Sequence, residues 1–136
     1  MKATLVRNEY SQAKHCLMSD GVTSVEDALN YSTTEHVVGK WIDGSTLYEK
    51  TVNIGTMPNA TYKNTNHGVS NMGSVVSVIG TMIRTSDNIC KPLPFGLTSS
   101  NNFVSVEVTP SVVYVSTGTD YSAYNGYITI RYTKTS

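Results

Sequence analysis

In Phe103-Val104-Ser105-Val106-Glu107-Val108 every second residue is valine. Val104, Val106 and Val108 fall on one side of an extended chain and Ser105 and Glu107 on the other, a period of two that belongs to a strand with one buried face. Ser111-Val112-Val113-Tyr114-Val115-Ser116 and Tyr127-Ile128-Thr129-Ile130-Arg131-Tyr132 have the same character. Thr109-Pro110 separates the first pair and residues 117–126 the second, so the three are expected to form an antiparallel meander.

Upstream, Val37-Val38-Gly39-Lys40-Trp41-Ile42 and Ser45-Thr46-Leu47-Tyr48-Glu49-Lys50-Thr51-Val52 flank Asp43-Gly44. Asp-Gly between two β-forming runs predicts a hairpin with a type I′ turn, whose central residues both take positive φ. Residues 53–67 are polar and rich in turn formers, with Met57-Pro58-Asn59 a turn, and read as a long surface connection. A short strand is expected over residues 68–72. Residues 74–84 are the most apolar stretch, β-branched with Gly80 inside, and are expected to form the centre of the sheet with a bend or bulge. Pro92 and Pro94 cannot donate to a ladder, so residues 91–96 are an edge or a loop whose Leu93 and Phe95 still reach the core. Six or seven strands without helix–strand alternation suit a two-sheet antiparallel β-sandwich, jelly-roll-like, over residues 37–136.

Residues 1–36 differ in character. Thr23 with Glu26, and Ser24 with Asp27, have capping-box spacing and predict a short helix of about two turns. Val22, Val25 and Leu29 would form its apolar stripe. A helix this short is marginal alone, so the stripe is expected to meet its own β domain or neighbouring copies of the chain. Residues 1–36 are therefore read as an attachment or trimerisation segment ahead of a β head.

Ten Lys plus Arg balance ten Asp plus Glu. Without a net field the chain has no electrostatic basis for holding nucleic acid or an anionic membrane. No apolar run approaches the ~20 residues of a bilayer-spanning helix, and residues 1–18 lack the apolar centre of a secretion signal. Cys16 and Cys90 form no CxxC and are expected to be free thiols; without a secretion signal, the sequons at Asn30 and Asn59 carry no weight. Templates for nucleophilic, phosphate-binding and zinc chemistry are absent from the sequence. His15, His36 and His67 lack ligand spacing, and no carboxylate pair stands out. The expectation is no catalytic residue, metal or cofactor. The remaining recognition chemistry is aromatic: Tyr121, Tyr124 and Tyr127 recur through a loop with Asp120 and Asn125. Such tyrosines offer a flat apolar face and a hydroxyl to a ligand, and Asp120, Tyr121, Tyr124 and Asn125 are the candidate binding residues. Equally, Tyr124 and Tyr127 can be strand-end packing groups, and Trp41 is expected in the core or an interface.

Residues 31–51, from Tyr31-Ser32-Thr33-Thr34-Glu35 through Gly39, Trp41-Ile42-Asp43-Gly44, Leu47-Tyr48 and Lys50-Thr51, resemble a signature of small β-rich domains. These domains occur in tail-fibre and other fibre proteins of phages and prophages of gut Firmicutes and related bacteria. Asn66-His67-Gly68-Val69-Ser70-Asn71, Pro92-Leu93-Pro94-Phe95 and Ser122-Ala123-Tyr124-Asn125-Gly126-Tyr127 to Lys134 fit the same pattern, so the resemblance spans roughly residues 19–134. It implies a virion surface or tail-tip domain, usually a homotrimer, that contacts the host surface; with no catalytic template in the sequence, non-enzymatic contact with a bacterial surface glycan or protein receptor is expected. The Met1 start leaves a short lead and suggests a short standalone fibre or a piece of something larger. Residues 1–30 would then attach to other virion proteins. A capsid head-fibre or decoration protein docked through that segment is the alternative. The matching motifs are scaffold and carry no receptor-binding residue across.

Overall fold

The computed structural model describes Leu17, Gly21, Val22, Ser24, residues 29–96 and residues 101–135. The strands are β1 (His36–Lys40), β2 (Thr46–Thr56), β3 (Tyr62–Asn66), β4 (Met72–Arg84), β5 (Cys90–Leu93), β6 (Phe95–Gly96), β7 (Phe103–Val108), β8 (Val112–Thr117) and β9 (Tyr124–Lys134). They form two sheets with antiparallel pairing, a five-stranded one ordered β1-β2-β9-β4-β5 and a four-stranded one ordered β3-β8-β7-β6.

Pairing shows why the faces separate. Val52, Ile128 and Gly80 stand opposite one another across β2, β9 and β4, and one residue along stand Thr51, Thr129 and Ile79. Directly opposed residues share a face, so the first row turns inward and the second outward. Val52, Ile54, Met82, Ile128, Ile130 and Tyr132 of the larger sheet join Val104, Val113 and Val115 of the smaller one in a single buried cluster. Each aliphatic side chain so buried contributes about 1.5–3 kcal/mol relative to exposure. Gly80 is needed for close approach: a Cβ there would overlap Ile128 Cδ1 and stand 2.6 Å from the Tyr127 carbonyl oxygen.

The meander divides. β7 and β8 pair as their alternation predicts, but β9 crosses to the other sheet, where it is the middle strand, in the place expected of β4. Its two faces explain the placement, because Ile128 and Ile130 are buried on one side and Thr129 on the other. The expected surface connection over residues 53–67 also holds more structure than its composition suggests. β2 runs on to Thr56 and β3 follows, with buried Met57 between them. Lys63 of β3 takes a place where an apolar residue would be expected, its Nζ donating to the Ile54 and Thr56 carbonyls at 2.7 and 3.0 Å. Of residues 68–72 only Met72 is in a strand.

The β1–β2 hairpin forms, but its turn is wider than the predicted type I′. Gly44 N–H donates to the Trp41 carbonyl at 2.9 Å, Trp41 N–H to that of Ser45 at 2.8 Å, and in the turn only Gly44 has positive φ, +89°. A three-residue loop whose glycine adopts the left-handed conformation matches strand twist this way, leaving Ile42 exposed at the tip. Residues 91–96 supply the edge strands β5 and β6, with Leu93 buried and Phe95 packed against the core.

The expected N-terminal helix is corrected. Among the described residues there is no helix; Ser24, one of its capping candidates, forms an isolated antiparallel bridge with Leu17, and Leu29 and Asn30 lie in a turn and a bend. Thr23 and residues 25–28, Val25 included, lie outside the described residues. Val22 and Leu29 are 81% and 78% exposed, so these two members of the expected stripe bury little of the apolar area that would offset the cost of nucleating two helical turns.

Candidate functional site

The loop between β8 and β9 is fixed to the body of the fold. Tyr121 N–H donates to the Pro58 carbonyl at 3.1 Å, and Met57 N–H to that of Tyr124 at 2.9 Å. These bonds draw the loop inward: Tyr121 and Tyr124 are only 7% and 6% exposed. Their rings meet edge to face at 5.7 Å, and Tyr121 meets Phe95 in the same way at 5.7 Å. Burial pushes the Tyr121 phenol above its ordinary range. The expectation that these two rings offer flat faces to a ligand is therefore corrected; they are packing groups, the alternative already open for Tyr124. Asp120 is exposed, but its carboxylate accepts the Ser122 N–H at 2.8 Å, and its bonds with Ser122 hold it below the usual carboxylate range. Asn125 sits within β9 opposite Thr56 and Ile83. The four predicted residues are neighbours, yet they do not form an aromatic platform.

Tyr127 has the opposite fate. It is 39% exposed on the outer face of the five-stranded sheet, opposite Asn53 and Thr81. Here the structure forms a groove of about 350 Å3, lined by Tyr31, Thr51, Ile79, Gly80, Thr81, Tyr127 and Thr129. Cross-strand registry places the threonines. Thr51 and Thr129 are directly opposed and their hydroxyls lie 2.9 Å apart, one donating to the other. Tyr31, 69% exposed, comes from the strap ahead of β1, whose Ser32 carbonyl accepts the Thr51 N–H at 2.8 Å.

The strap is held by ionic contacts as well. Glu35 accepts a hydrogen bond from the Tyr132 hydroxyl at 2.5 Å and one from Lys134 Nζ at 2.7 Å. Burial first, and then this bond to Glu35, push the Tyr132 phenol far above its ordinary range. One row further along the outer face, His36, Glu49 and Arg131 are cross-strand partners. Arg131 Nε donates to buried Glu49 at 2.8 Å, and His36 Nε2 lies 3.5 Å from the same carboxylate. A second cavity of about 400 Å3 lies along the strap, between Asn30, Ser32, Thr34, Glu35 and His36.

His67 is a satisfied structural histidine: Val69 N–H donates to its Nδ1 at 3.1 Å, which leaves Nε2–H to donate to the Thr109 carbonyl at 2.9 Å. His15 and Cys16 lie outside the described residues, and the Cys90 thiol is free and exposed. Among the described residues, no group of three or more His, Cys, Asp or Glu could hold a metal, and no helix is long and apolar enough to cross a membrane. Tyr127, Thr129 and Arg131 lie on one face of a strand that sequence alternation identifies. What the sequence does not show is that Thr51, Ile79 and Tyr31 are brought beside them. Comparison of the chain with protein-family models, with curated proteins and with solved structures returned no match.

Proposed function

We propose that the chain is a non-enzymatic fibre or tail-tip structural protein of a bacteriophage virion, working as a homotrimer. Its two sheets act as a sandwich head of jelly-roll type that contacts a glycan on the bacterial surface. The observation that carries this reading is the groove on the five-stranded sheet, where tyrosine rings and Ile79 stand over a threonine floor. Aromatic rings bind the apolar face of a sugar while hydroxyls bond its rim, and such a surface recognises without a nucleophile or an acid–base pair. The balanced charge and the resemblance of residues 31–51 to phage fibre domains support the same reading.

The direct test is adsorption of the labelled protein to a panel of bacterial cells. Binding that soluble surface polysaccharide competes away is the expected result, and no binding to any strain would remove the proposal. The second reading, a capsid head-fibre or decoration protein, is favoured by the exposure of Leu17, Val22 and Leu29 ahead of the β domain. Immuno-electron microscopy separates the two: label at the tail tip supports the first and label over the capsid the second.

A further inference from the structure

The groove's lining has a chemistry of its own. Five of its side chains carry hydroxyls, Tyr31, Thr51, Thr81, Tyr127 and Thr129, and none carries an ionisable acid or base of the Asp, Glu, Lys, Arg or His type. Thr51 and Thr129 bond each other and, since a hydroxyl has one donor and two acceptor sites, keep spare capacity toward the groove. The hydroxyls of Tyr31, Thr81 and Tyr127 have no side-chain hydrogen bond among the described residues. Arg131, two residues along β9 on the same face, is not part of the lining, and its Nε donates to Glu49 at 2.8 Å. An anionic ligand would lose hydration without gaining a counter-charge, whereas a polyhydroxylated neutral ligand meets both hydroxyls and apolar surface. The volume of about 350 Å3 falls at the small end of ligand sites (~300–1,000 Å3).

We infer that this groove is a subsite for one uncharged pyranose unit, a neutral hexose or deoxyhexose, with Tyr127 and Ile79 as its apolar platform. Tyr31 is the opposite wall, and the Thr51, Thr81 and Thr129 hydroxyls set orientation. The inference rests on the glycan-contact reading and names its ligand class. Acidic sugars are disfavoured in the site because no lining side chain carries a cation to neutralise a carboxylate or phosphate.

The test is calorimetric titration of the full chain with methyl glucoside, methyl galactoside and methyl rhamnoside, and with glucuronate and N-acetylneuraminate as acidic counterparts. At least one neutral sugar is expected to bind. Tyr127→Ala should weaken it about tenfold, the loss of one good ring contact. Thr81→Val, which removes a hydroxyl while keeping shape, should weaken it several-fold at an unchanged unfolding midpoint. Equal or tighter binding of an acidic sugar, no binding of any neutral one, or full affinity in Tyr127→Ala would overturn the inference. So would conversion of an oligomer to monomers by Tyr127→Ala on a sizing column, which would make the groove an interface between copies. Cell adsorption that persists while neutral sugars fail removes the ligand class and leaves the surface-contact reading; loss of all adsorption removes that reading itself.

Discussion

Tyr124 and Tyr127 are three residues apart in one strand, and they do opposite work. An odd spacing in a strand sends side chains to opposite faces, so Tyr124 joins the core with Tyr121 while Tyr127 stands outside with Tyr31. The inner pair is fixed by edge-to-face packing and by backbone bonds, Tyr121 N–H donating to the Pro58 carbonyl and Met57 N–H to that of Tyr124. The outer pair stands over threonines whose hydroxyls retain bonding capacity. Residue type alone therefore does not identify a recognition tyrosine; the face of the strand does. If this division is right, variants of the inner ring change stability and variants of the outer ring change binding.

The largest effect is expected at the inner position. Tyr124→Ala should lower unfolding free energy by about 3–5 kcal/mol in urea denaturation, as other large aromatic truncations in cores do. Tyr127→Ala should stay within about 1 kcal/mol; equal losses at both sites would break the division. Gly80→Ala sharpens it, because the added methyl meets Ile128 on the inner side and the Tyr127 backbone behind it. A loss of about 1–3 kcal/mol is expected from this overpacking, read from the thermal midpoint. Glu35→Ala tests the strap that carries Tyr31: it leaves the buried Tyr132 hydroxyl without its carboxylate acceptor, at a cost of about 1–3 kcal/mol. It should also weaken binding in the groove, because the strap that carries Tyr31 then keeps its Ser32–Thr51 backbone bond but loses its ionic anchor.

The smallest effect belongs to the loop tip. Asp120 titrates below its ordinary 3.8 because of its bonds with Ser122. A carboxyl whose folded value is depressed contributes its stability above the unfolded value and loses it as pH falls through the folded one. The difference in unfolding midpoint between Asp120→Asn and the parent should therefore be small near neutrality and shrink further below about pH 4. A difference that grows in acid would contradict the bond as drawn.

How far these features can be read in the sequence follows from the same geometry. The alternation in β7 and β8 identifies both strands and their inward valines, since a period of two is a local property. It does not say which sheet β9 joins, because the neighbours of a strand are set by packing across the whole fold. β3 is hidden for a different reason: its inward positions hold Lys63 and Thr65, and the lysine substitutes hydrogen bonds to β2 carbonyls for apolar contact. Leu93 and Phe95 were legible as core groups flanking a proline because edge strands tolerate a missing donor. The predicted helix depended on capping signals worth little without a covering surface, and Ser24 pairs with Leu17 instead. Of the groove, only the outward face of β9 was legible; Thr51 and Ile79 come from distant strands brought beside Thr129 by registry, and Tyr31 from the strap bonded to Thr51 through Ser32.

Amide chemical-shift mapping by NMR, with a neutral methyl glycoside added to the intact chain, tests the central claim most directly. The account predicts the largest shifts at Thr51, Thr81, Tyr127 and Thr129, along one outer row and its neighbour on the five-stranded sheet. Shifts confined to residues 118–125, with the sheet face unchanged, would contradict it and return recognition to the loop.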